Sequence, residues 1–165
     1  MDARLYKHYS HEGGISTPLI VHWPAGMKRA NAWERSVGHI SDLMATCVEA
    51  AGTAYPRDML PMEGRSLLPA LRGEPAQPRT IFFEHERHRA VRSGPWKLVS
   101  LAGQPWELYD METDRVEMRD LAARDPDRVR EMVAPWDEWA NRMRAAGHWN
   151  PPAKTAAPKP GPLRD

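Results

Sequence analysis

The chain has 165 residues and carries 23 Lys+Arg against 22 Asp+Glu, a formal net charge of +1. That balance gives no electrostatic footprint for nucleic acid, no apolar run approaches the roughly 20 residues of a membrane-spanning helix, and no basic start leads into an apolar h-region, so no signal peptide is expected. The length suits one domain or slightly more, the single cysteine excludes an internal disulfide, and the many Trp and Met residues read as core and pocket filling.

In chain order, Met1 to Gly14 reads as a loop, with Gly13-Gly14 supplying backbone freedom. The apolar run Pro18 to Trp23 predicts a strand buried on both faces, as in the parallel sheet of an α/β layer. Residues 25–38 are polar and irregular. In "HISDLMATCVEAAGTAYP", Ser41 predicts an N-cap and Asp42 a favourable first-turn charge. Leu43, Cys47, Ala50 and Ala51 fall at helical spacing, Gly52 is the stop, and Cys47 reads as a small buried hydrophobe.

Residues 55–78 are rich in Pro and Gly and read as a surface connection, with a short helical turn in "EGRSLLPALRG". The period then changes. "RTIFFEHE", "RAVRSG", "WKLVSLA" and "WELYDM" predict an antiparallel meander, with turns at Gly94-Pro95 and Gly103-Gln104-Pro105. "RDPDRVREMVAPWDEWANRMRAAG" predicts a helix capped by Asp125, with Pro126 at its first position. Its apolar stripe is Val129, Met132, Val133, Trp136, Ala140 and Met143; Pro135 is expected to bend or interrupt it, and Gly147 to end it. Residues 148–165 are Pro-, Lys- and Ala-rich and predict a disordered tail. The organisation expected is therefore 1–54 as the end of an α/β domain, 55–78 as a connection, and 79–147 as a small α+β subdomain of antiparallel sheet and packed helix.

Lys7 stands just ahead of a glycine turn and the apolar run. There a lysine can point into the cleft beyond a parallel sheet and meet the oxygens of a sulfate or phosphate ester; otherwise it is a solvated loop residue. His8, His11 and Glu12 lie close in sequence, but no HExxH or CxxC spacing marks a metal site, and no metal ligands are assigned. In "EHERHR", strand alternation would put His85 opposite Glu84 and Glu86, so these residues and His88 cannot all converge on one ion, although one could line a pocket. No GxSxG, P-loop or GxGxxG occurs. The residues alone give an α/β piece joined to a small antiparallel sheet, without a complete active site.

Four blocks in order, "KHYSHEGGISTPLIVHWPAG", "GHISDLMATCVEAAG", "EGRSLLPALRGE" and "EHERHRAVRSGPWKLVSLAGQPWELYDMETDRVEMRDLA", resemble the C-terminal part of the arylsulfatase family over about residues 4–145. The resemblance implies an alkaline-phosphatase-like α/β fold, present here in part, followed by the smaller subdomain. It implies hydrolysis of sulfate esters through a formylglycine nucleophile and a calcium ion held by Asp and Asn. The family motif of Lys, four residues, then Glu-Gly-Gly is met by Lys7, Glu12, Gly13 and Gly14. Lys7 thereby takes the role of the lysine that contacts sulfate. His11 and His85 are candidates for substrate contact; at His11 many relatives carry Tyr. Cys47 is followed by Val48 and Glu49, not by the CxPxR pattern of a formylglycine precursor, and no Asp-Asn metal pair precedes Lys7. The resemblance is thus to a fragment, inactive alone, whose partner is the missing N-terminal part and whose parent is of an often exported kind. The alternatives are a related phosphoesterase, or a non-catalytic interaction or carbohydrate-binding module using Trp96, Trp106 and Trp149.

Overall fold

Residues 3–27, 31–75 and 77–147 are described by a computed structural model. They divide into two units: Met1–Pro18 together with Arg79–Asp165, and Leu19–Pro78. The organisation expected from the sequence takes 1–54 as one stretch, whereas residues 3–18 group with the sheet unit. The predicted tail lies outside the described residues.

The sheet unit is an antiparallel meander in the order β1-β2-β3-β4, with β1 Thr80–His85, β2 His88–Ser93, β3 Trp96–Ser100 and β4 Glu107–Asp110. Gly94 at φ 53° makes the β2–β3 turn and Gly103 at φ 74° lies in the β3–β4 connection, both as predicted. The β1–β2 turn was not legible. It is formed by Glu86 and Arg87 at φ 50° and 71°, the left-handed pair that a two-residue hairpin loop needs and that Asn-Gly usually supplies. Glu84 Oε1 steadies it by accepting the Arg87 N–H at 2.8 Å.

One sheet face is covered by a helix. Val91, Leu98 and Leu108 pack on Met132, Trp136 and Ala140 of the long helix Pro126–Ala145, with Phe82, Trp106 and Trp139 at the margin. The predicted stripe is the buried one. Asp125 caps the helix by accepting the Arg128 N–H at 3.0 Å, and Gly147 follows at φ 71°. The helix runs through Pro135 without interruption.

The opposite face carries Ala90, Val99, Tyr109 and Met111. Lys97 pairs directly with Tyr109, and Val99 with Glu107, so by alternation Lys97 and Glu107 also project from this face. It is covered by the N-terminal segment, which contains a short helix, Glu12–Ile15, where the sequence predicted only loop. In chain order the helices are α1 (Glu12–Ile15), α2 (Asp42–Ala50), α3 (Leu68–Leu71) and α4 (Pro126–Ala145).

The second unit holds α2 and α3 and departs from expectation in three ways. First, the strand predicted at Pro18–Trp23 does not form, and Leu19 and Ile20 are 56% and 91% exposed. A strand buried on both faces needs neighbours along both edges, and no described segment supplies them. Second, α2 turns a different face inward. Asp42 and Ala45 are buried while Leu43, Met44 and Cys47 are exposed, so Cys47 is no core residue. Third, Ser41 makes no side-chain cap. The buried Asp42 carboxylate accepts the His39 N–H at 2.7 Å and the Arg65 N–H at 2.9 Å, and Thr46 Oγ1 accepts the Leu67 N–H at 2.8 Å. These bonds draw the Asp42 side of α2 toward the α3 connection.

Candidate functional site

The segment Arg4–Ile15 closes on itself before it meets the sheet. The Gly13 N–H donates to Arg4 O at 3.0 Å, and the Tyr9 N–H to Tyr6 O at 2.9 Å. A Cβ on Gly13 would stand 2.0 Å from Leu5 O, and one on Gly14 1.9 Å from Tyr9 O. Neither glycine has positive φ, so the Gly-Gly pair is required by close backbone approach, not by a left-handed conformation.

Two charge clusters hold this closed loop, one part-buried and one built on the buried Lys97. In the first, Glu107 receives the Arg4 guanidinium at 2.7 Å, the Tyr109 hydroxyl at 2.6 Å and His11 Nε2 at 3.1 Å, while Arg4 also donates to the Tyr109 hydroxyl oxygen. Burial alone would raise the Glu107 pKa. Hydrogen bonds from His11 and Tyr109 and the charge of Arg4 overcome it and lower the pKa to about 2. Burial and Glu107 together push the Tyr109 phenol well above its ordinary value, so it stays a donor.

In the second, Lys97 Nζ lies 2.7 Å from Glu12 Oε1 and 2.7 Å from Glu117 Oε1, and Glu117 Oε2 accepts the Glu12 N–H at 2.8 Å. Arg92, opposite Lys97 in the ladder, brings a second positive charge near Glu12. Burial lowers its pKa and Glu12 opposes that shift.

Lys7 sits between these holds and is exposed, with no hydrogen bond or ion pair to any described residue. His11 is fully buried on Glu107. His85 is exposed at the end of β1, and the turn conformation of Glu86 brings it toward His85 instead of across the strand from it. His8 joins them, its Nδ1 3.3 Å from Glu86 Oε2. Trp96 and Trp106, the aromatics of the carbohydrate-binding alternative, border the α4 core, with Arg128 over Trp96 and Arg89 over Trp106. Trp149 lies outside the described residues.

Residues 3–138 match the family described as N-sulphoglucosamine sulphohydrolase, C-terminal. The chain belongs to this family. It corresponds to the C-terminal part of a sulfatase. An uncharacterized sulfatase of Schizosaccharomyces pombe is 29% identical over 147 residues, covering 81% of this chain and 26% of the relative. The choline-sulfatase of Rhizobium meliloti is 29% identical over 157 residues, covering 92% and 29%. A Bacteroides thetaiotaomicron 6S-sulfatase, from a locus for metabolism of multiple glycosaminoglycans, superposes with TM-score 0.68 at 23% identity over 80% of this chain and 30% of its own; it supports the fold. The chain therefore spans under a third of each relative's length.

Sequence reasoning missed the residues that hold the sulfatase loop: Arg4, Lys97, Glu107, Tyr109 and Glu117. A lysine inside "WKLVS" reads as a solvent-facing strand residue. Only the presence of a covering segment with its own acid reverses that, and no local pattern announces it.

Proposed function

We propose that this region completes the active site of an arylsulfatase-type enzyme by presenting Lys7 to the sulfate group. The observation that carries the reading is an exposed ammonium, without an ion pair among the described residues, on a loop whose two flanks are held by part-buried and buried ion pairs. A cation held in place before the reaction stabilises charge as it develops on the ester oxygen, without a reorganisation cost at that moment. The Lys7 loop meets that requirement because Arg4 and His11 are tied to Glu107, and Glu12 to Lys97.

The nucleophile and the calcium ion belong, on this reading, to the rest of the enzyme. Cys47 lies exposed on α2 without the CxPxR pattern. Calcium takes six to eight oxygen ligands, whereas the one group of described residues with metal-ligand geometry is His8, His85 and Glu86, which is largely imidazole. These residues do not fit calcium. The substrate class is an organic sulfate monoester, a reading supported by the similarity to a relative named choline-sulfatase. The test is turnover by the whole enzyme carrying this region, offered an aryl sulfate and the matching aryl phosphate. Sulfate release faster than phosphate release supports the reading, and the reverse order replaces it with a phosphoesterase.

A further inference from the structure

Three side chains that this chemistry does not use meet at the β1–β2 turn. His8 Nδ1 is 3.3 Å from Glu86 Oε2, His85 Nε2 is 4.0 Å from Glu86 Oε1, and one donor atom from each residue lies within 4.8 Å of the others. The His8 and His85 rings are stacked, with centroids 6.3 Å apart and planes 21° from parallel. We infer that His8, His85 and Glu86 form a binding site for a divalent d-block cation, with Zn2+ as the reference ion and water at its fourth position.

Around a tetrahedral zinc with bonds of about 2.0–2.2 Å, ligand atoms stand about 3.3–3.5 Å apart. The His8–Glu86 edge already has that length. The other two edges are within 4.8 Å and need at most about 1.5 Å of closure, which solvent-exposed side chains can make by rotation. Two neutral imidazoles and one carboxylate are a donor set suited to zinc or its d-block neighbours. The three residues come from two distant stretches of chain, and each is brought there by a specific feature. His85 ends β1, Glu86 holds a left-handed turn position, and His8 follows the Lys7 of the clasped loop. A plain surface ion pair would need only His8 and Glu86 and would contribute little; His85 is what distinguishes a site from a pair. A bound ion would cross-link the Lys7 loop to the β1–β2 hairpin. The inference stands independently of the sulfatase reading.

The test is calorimetric titration of the full chain, purified without a polyhistidine tag and stripped with chelator, with ZnCl2. The expected result is one ion per chain at micromolar affinity, at least tenfold weaker binding in His85→Gln and in Glu86→Gln, unchanged binding in His22→Ala, and a rise in Tm at saturating zinc. Circular dichroism verifies that each variant folds. Absence of saturable binding overturns the site, as does an affinity that His85→Gln leaves unchanged.

Discussion

The Lys97 ammonium is completely buried and lies 2.7 Å from a carboxylate oxygen of Glu12 and 2.7 Å from one of Glu117. Glu12 belongs to the loop that carries Lys7, so this contact joins the middle of the sheet to the candidate catalytic residue. Removing Lys97 would leave two carboxylates facing each other out of water. Lys97→Met should therefore destabilise the sheet unit by about 3–5 kcal/mol. Replacing both acids in the same chain, as Lys97→Met with Glu12→Gln and Glu117→Gln, should recover a large part of that loss. Urea unfolding followed by tryptophan fluorescence would check it, and a single variant as stable as the wild type would show that the cluster does not hold the loop.

Glu107 predicts an acid sensitivity with a definite sign. Its folded pKa is lowered from 4.5 to about 2, against burial and through His11, Tyr109 and Arg4. A carboxylate depressed on folding contributes stability that is fully present above pH 4.5 and is lost as pH falls through the folded value. The shift corresponds to about 3 kcal/mol. Stability measured between pH 5 and pH 2 should fall by roughly that amount in the wild type, and the fall should be shallower in Glu107→Gln.

Gly14 and Gly103 should respond to alanine for different reasons. At Gly14 a Cβ would stand 1.9 Å from Tyr9 O and 2.8 Å from Tyr6 O, both backbone atoms, so the Lys7 loop must open to admit it. At Gly103 the space is open and only φ 74° is unfavourable, a cost of about 1–2 kcal/mol. Gly14→Ala should lose more stability than Gly103→Ala and should also lower sulfatase activity in the whole enzyme. Equal losses in thermal melts would contradict the close-approach reading.

Hydrogen exchange should divide the chain. The meander and α4 have ladder and core partners within their own unit and should be protected. Residues 19–27 and 31–41 should exchange quickly, because Leu19, Ile20, Trp33 and Ile40 are exposed and Pro18–Trp23 forms no ladder. Strong protection at Leu19 to Val21 would overturn this.

What was legible in the sequence follows from how local each signal is. The α4 stripe, its Asp125 cap and the Gly94 turn are encoded within a few residues and were readable. The Pro18–Trp23 strand failed because its apolar pattern describes neighbours that the described residues do not provide. The Glu86-Arg87 turn failed because neither residue is a glycine, which also hid the meeting of His85 with Glu86. The sheet face that grips the loop failed because Lys97 and Glu107 acquire their meaning only from Arg4, His11 and Glu12, some 85 to 103 residues away. Lys7 is proposed from its spacing to Glu12-Gly13-Gly14, a family pattern and not a physical one.

The most direct measurement is kcat/KM for an aryl sulfate with the whole enzyme carrying this region, wild type against Lys7→Ala. Loss of one placed stabilising charge costs about 2.7–4 kcal/mol, so a fall of roughly a hundredfold or more is predicted, with Lys7→Arg recovering part of it and the fold unchanged by circular dichroism. A Lys7→Ala enzyme within a few-fold of wild type would contradict the account.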